Sequence, residues 1–149
     1  MSRSSIFALV VVLAGCAHAA APATQYVTMP GSVARPFSAA VITNGMIYLS
    51  GQIGADSTGK LPPGGIGPET KQAMERIKAL LAQQGATMDD VVKCTVFLAD
   101  MQEWGAMNEV YVTFFPTHRP ARSAFGASGL ALNARVEIEC LAKQPAPPK

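Results

Sequence analysis

Phe37-Ser38-Ala39-Ala40-Val41-Ile42, then Thr43-Asn44-Gly45, then Met46-Ile47-Tyr48-Leu49-Ser50 is the stretch from which the fold is read. Two apolar runs flank an Asn-Gly pair, which favours a tight turn with positive φ at both central residues, and the stretch predicts a β-hairpin. Toward the N-terminus, Gln25 to Met29 reads as a short edge strand ended by Pro30-Gly31. Toward the C-terminus, Ser50-Gly51-Gln52-Ile53-Gly54 leaves the hairpin, and the Pro/Gly-rich Leu61 to Gly67 predicts a loop. From Pro68 to Gln84, Ala73, Met74, Ile77, Leu80 and Leu81 fall on one side of a helix, with Glu69 in its first turn and Gly85 as its stop. Asp89-Asp90 lead into a strand from about Val91 to Leu98. Asp100 and Glu103 have capping-box spacing. Behind them Trp104, Met107, Val110, Tyr111 and Phe114 recur at helical intervals until Pro116, an aromatic stripe that reads as core. Strands from Arg122 to about Ser128 and from Ala134 to Ala142 close the domain.

The order is strand, hairpin, helix, strand, helix, strand, strand, an α+β pattern. Strands separated by a helix run parallel through crossovers, so both helices are expected on one face of a mixed sheet. The other face has no helix left to cover it. Apolar strand residues such as Phe97 and Leu141 then predict association with further copies of the chain.

The 149 residues suffice for one domain, and 49% hydrophobic against 15% charged residues excludes a disordered chain. The net charge is +2, with no run of Lys or Arg to make a nucleic-acid face. Met1 to Ser5 carries one positive charge, Ile6 to Ala14 is apolar, and Leu13-Ala14-Gly15-Cys16 follows. This looks like a bacterial lipoprotein signal, too short in its apolar run to span a bilayer permanently. Cleavage before Cys16 would leave a lipid anchor there, and membrane contact only through it; Ala17 after it points to the outer membrane, facing the periplasm. Ordinary secretory cleavage after Ala19 is the rival, giving a soluble periplasmic protein. Residues 1–15 are thus a signal, 16–24 an Ala/Pro tether, 25–143 the domain and 144–149 a disordered Pro-rich tail. Cys94 and Cys140 both fall in strands. An oxidising periplasm permits a disulfide, but two small buried hydrophobes is the favoured reading. No cysteine or histidine spacing suggests a metal, and His118 reads as a solvated loop residue.

The chemistry concentrates in Arg119-Pro120-Ala121-Arg122-Ser123-Ala124-Phe125 and Arg135-Val136-Glu137-Ile138-Glu139. An arginine at the start of one strand and a carboxylate on the next predict a site that holds an organic acid and activates water beside it. Together with Ser50-Gly51-Gln52, Val96-Phe97-Leu98-Ala99-Asp100 and Met107-Asn108-Glu109-Val110-Tyr111, these stretches resemble the RidA/YjgF family of imine and enamine deaminases, from about Pro36 to Lys143.

The resemblance implies a chorismate-mutase-like α+β fold, a homotrimer with clefts between subunits, and hydrolysis of 2-imino or enamino acids to 2-keto acids and ammonia without a cofactor. It gives Arg122 the substrate carboxylate, which its planar fork meets with both nitrogens, and Glu137 the attacking water. Ser50 and Gly51 would lie beside the ligand, and Asn108 near the cleft. Three departures accompany it. Phe37 stands where the family has a tyrosine, Ala124 where it has a cysteine, and Phe115 to Arg119 is shorter than the usual loop. The alternative is a trimeric, non-catalytic module of the same fold that binds a small carboxylate or acts as a chaperone.

Overall fold

The structure, a computed structural model, describes residues 23–28 and 35–146. The expected signal, Cys16, the Ala19 cleavage point and most of the tether lie outside them, as does the end of the tail. The strands are β1 (Gln25–Val27), β2 (Ala40–Thr43), β3 (Met46–Leu49), β4 (Gln52–Ile53), β5 (Val91–Leu98), β6 (Ala121–Gly126) and β7 (Val136–Lys143). Two helices, α1 (Ile66–Gln83) and α2 (Trp104–Tyr111), interrupt them. Among the described residues the sheet runs β1-β2-β3-β7-β5-β6, with β4 also paired to β7.

Local chemistry accounts for the boundaries. Asn44 and Gly45 take φ of 51° and 73°, as the hairpin turn requires. Helix α1 ends in a Schellman motif: Gly85 has φ 72°, its N–H donates to Ala82, and the Ala86 N–H donates to the Leu81 carbonyl. Thr87 and Asp90 close the turn before β5, where the Thr87 N–H donates to the Asp90 carboxylate at 2.7 Å.

The sheet is mixed. β5 and β6 are parallel across α2, whereas β7 is antiparallel to β3, β4 and β5. Ile47, Val96, Leu98, Val136 and Ile138 meet Met74, Ile77, Leu81 and Met107 of the helices in one buried core. Each such side chain contributes roughly 1.5–3 kcal/mol relative to exposure. Alternate strand residues point to the other face, where Tyr26, Tyr48 and Phe125 are exposed.

Four expectations need correction. Cys94 and Cys140 are not separate buried thiols; the antiparallel register of β5 and β7 sets them opposite each other, Cα atoms 4.1 Å apart, and they form a disulfide. Asp100 caps alone, accepting from the Gln102 N–H at 2.9 Å, while the Glu103 carboxylate turns to Arg135 at 2.6 Å instead of closing a capping box. The aromatic stripe of α2 is core only in part: Met107 and Tyr111 are buried, but Trp104 is exposed. Arg122 and Glu137 are not on neighbouring strands, because β5 inserts between β6 and β7.

Candidate active site

Glu137 lies on the sheet face away from the helices. Its neighbours in register are Phe97 on β5 and Ile53 on β4, and Phe125 continues the row on β6. Phe97 and Phe125 meet edge to face with centroids 5.0 Å apart. Gly51 makes room for the carboxyl: a Cβ at this position would collide with Glu137 Oε1, so the backbone itself forms the floor. Burial pushes the Glu137 carboxyl above its ordinary value, and the like charge of Glu139, two residues along the same face, adds to the effect.

Ser50 precedes that floor, and its hydroxyl donates to the Ser38 carbonyl at 2.6 Å. The bond fixes the strand exit to the segment carrying Phe37, whose ring is exposed and lies 5.8 Å from the Arg35 guanidinium. Gln52 turns to the core, donating to the Ser50 carbonyl at 2.9 Å and accepting from Arg76 at 3.1 Å.

Arg122 leaves the opposite face. It pairs in register with the buried Cys94, which places it on the helix side. There its Nη1 donates to Asn108 Oδ1 at 2.6 Å, and its guanidinium lies 4.7 Å from the Tyr111 ring centroid and 5.6 Å from that of Trp104. Two aromatic faces and one amide thus hold a cation without neutralising it. A cavity of about 510 Å³ opens beside it, with Arg119, Pro120 and Phe115 in its wall. The buried Tyr111 hydroxyl has no hydrogen-bond partner among the described residues; burial pushes its phenol up to about 12, the nearby Arg122 charge opposing, so it keeps its proton.

The structure therefore assembles Glu137, Gly51, Ser50 and Phe37 as one group, and Arg122 with Asn108 as another. Two strand spacings separate the groups by about 10 Å, and the three-residue offset adds about 10 Å along the strands. Their side chains also leave opposite faces, so no small acid touches both Arg122 and Glu137 of one chain. His118 is exposed in its loop. The sequence reading missed Trp104 and Tyr111 as partners of Arg122. The signal was Asn108 itself, a polar residue four positions after Trp104 and three before Tyr111, in the middle of an apolar helix face.

A mixed sheet backed by two helices, with a held arginine and a raised carboxyl on its two faces and no ion pair between them, places the chain in the α+β class. The comparisons make that class particular. The family described as Endoribonuclease L-PSP matches residues 28–144. The mouse protein named 2-iminobutanoate/2-iminopropanoate deaminase is 46% identical over 110 residues, covering 73% of this chain and 82% of its own length. The human protein of that name is 41% identical, covering 77% and 84%. A solved Entamoeba histolytica protein described as a putative endoribonuclease L-PSP superposes with TM-score 0.75 at 41% identity, over 81% of this chain and 99% of its own. Escherichia coli TdcF, solved with bound serine, gives 0.74 at 28% identity, over 81% and 99%. The chain belongs to the RidA/YjgF, or endoribonuclease L-PSP, family.

Proposed function

We propose that the protein hydrolyses 2-imino acids and their enamine tautomers to 2-keto acids and ammonia. The observation that carries this reading is Glu137: a carboxyl laid directly over the Gly51 backbone, half-buried, and pushed above its ordinary value by that burial. Ionised Glu137 accepts a proton from water as the water oxygen attacks C2 of the protonated imine. Glu137 passes this proton to the nitrogen of the carbinolamine; as the C–N bond breaks, the C2 hydroxyl forms the carbonyl and gives its proton back to Glu137, and the keto acid leaves with ammonia, which carries that proton away as ammonium. Arg122, held by Asn108, binds the substrate carboxylate by a charge-assisted pair of hydrogen bonds. Ser50 and Gly51 flank the reacting carbon and Phe37 supplies the wall. The names of the relatives support this chemistry.

The site is completed by a second copy, in a homotrimer. The placement of Arg122 and Glu137 on opposite faces favours that arrangement, as do the exposed Tyr48 and Phe125 on the uncovered face. The enzyme works in the cell envelope, anchored through Cys16 or released after Ala19; a disulfide between Cys94 and Cys140 suits an oxidising compartment.

The test uses 2-imino acids generated in place by an amino-acid oxidase, with semicarbazide trapping what remains. Wild type is expected to speed imine loss, and Arg122→Ala and Glu137→Ala to return it to the uncatalysed rate. A wild type equal to the blank over several imino acids overturns the proposal and leaves a binding module.

A further inference from the structure

A cavity of about 330 Å³ borders the Glu137 group on its Phe37 side. Its wall includes Phe37 and Ile53, the latter opposite Glu137 in the β4–β7 register, together with Arg35, Arg76 and Leu132. Arg76 reaches it from α1, donating through Nε to Gln52 Oε1 at 3.1 Å and through Nη1 to the Ala55 carbonyl at 2.7 Å. Both acceptors are neutral. Among the described residues the ion pairs are Lys78 with Glu75 and Arg135 with Glu103, neither involving Arg76, and the remaining residues contain no Asp or Glu.

Arg35 lies over the Phe37 ring on the same cavity. Burial, and then the Arg35 charge, push the Arg76 guanidinium below its usual pKa. Asp56, the carboxylate on this wall, is engaged in its own turn, where Oδ1 accepts from the Thr58 N–H, the Thr58 hydroxyl and the Lys60 N–H. Leu132 takes a left-handed conformation, φ 58°, rare for a residue with a branched side chain, and stands 57% exposed at the mouth. Asp56 keeps its charge in that turn, so the two guanidiniums outnumber the one carboxylate of the wall; neither is ion-paired among the described residues, and an anionic group placed between them relieves their mutual repulsion.

We propose that this cavity is the subsite for the substrate side chain, and that it selects 2-imino acids bearing a second, distal carboxylate, held by Arg76 and Arg35 against Phe37 and Leu132. The inference rests on the deaminase reading and deepens it: the carboxylate beside the imine goes to Arg122 of a second copy, the distal one to this pair.

Imines generated from aspartate or glutamate and, in parallel, from alanine are given to the full chain and to its Arg76→Gln and Arg35→Gln variants. The ratio of kcat/KM for the dicarboxylate imine to that for the neutral imine is expected to exceed one in the wild type. It should fall about tenfold in either variant, the worth of one charge-assisted hydrogen bond. A ratio of one or below, or one that neither variant changes, overturns the proposal. Turnover of neither imine counts against the deaminase reading instead, and calorimetry with succinate and propionate then decides the subsite. Succinate binding weakened about tenfold by the variants supports it; equal affinity for the two acids, or no binding of either, overturns it. Arg35 is exposed, so its variant keeps the test valid where thermal melting shows that Arg76→Gln has disturbed the α1 contacts.

Discussion

Glu137 and Arg122 stand on one sheet, yet their surroundings are built by opposite means. Around Glu137 the chain removes material: Gly51 offers bare backbone, the Ser50 hydroxyl is committed to Ser38, and among the described residues nothing cationic is paired with the carboxyl, which burial and Glu139 keep reluctant to ionise. Around Arg122 it adds material: an amide and two aromatic rings fix a guanidinium that pairs with no carboxylate among the described residues. The difference teaches what each group does in the proposed reaction. A base must give and take a proton and is left free to do so, whereas an anion-binding cation must keep one position and is clamped.

The sharpest way to break the comparison is to separate the halves genetically. Glu137→Ala and Arg122→Ala are each expected to lose about 10²–10⁴-fold in activity. If each site draws its two groups from different copies, mixed refolding of the two inactive chains should restore about a quarter of the sites by random assortment. No restoration in a mixed oligomer would mean that one chain supplies both. Next in size, Gly51→Ala drives a methyl group into the Glu137 carboxyl and displaces it. We expect kcat to fall about 10²-fold with KM little changed, as a misplacement of about 1 Å costs. Loss in KM alone would show that Glu137 is not the reacting half.

On the clamped side, Asn108→Ala should raise KM about tenfold with a smaller effect on kcat, since it loosens Arg122 without removing it. Trp104→Leu, whose ring is partly solvated, should raise KM only a few-fold. The smallest effect concerns the pH profile. The reaction needs ionised Glu137, so kcat/KM rises as pH passes through the raised pKa of this carboxyl. Glu139→Gln removes the like charge that contributes to the shift and should move that acid limb to lower pH, leaving the burial contribution in place. A limb that stays put would mean that another group titrates. The same shift has a sign for stability: the folded chain holds the Glu137 proton more tightly than the unfolded chain, so stability falls as pH rises from the ordinary carboxylate range through the raised value. Glu137→Gln should accordingly melt higher than wild type at neutral pH while being inactive.

Much of this was legible in the sequence, and the parts that were not share a cause. The hairpin, α1 with its Gly85 stop, and β5 follow from contacts between residues close in the chain, and periodicity and turn chemistry report such contacts directly. Arg122, Glu137, Ser50, Gly51 and Asn108 were singled out by their stretches. Their grouping was not, because it depends on β5 lying between β6 and β7, and strand order is a property of pairing between distant segments. The disulfide escaped for the same reason: two strand cysteines say nothing of register until β5 and β7 are set side by side. Trp104 looked like core because a helix has one apolar face whether that face meets a sheet or a guanidinium. The cavity with Arg35 and Arg76 needed the loop after β4 to bring residues from four separate segments to one wall.

The Cys94–Cys140 bond spans 46 positions of the chain. The covalent ring it closes contains α2, β6 and the start of β7, and with them Trp104, Asn108, Tyr111, Arg122 and Glu137. A single proteolytic cut in the exposed loop around His118 would therefore leave two fragments that cannot diffuse apart. Closing such a ring also removes about 4 kcal/mol worth of freedom from the unfolded chain. Arg122 and Glu137 would then stay on one covalent body even after the backbone between them had been severed.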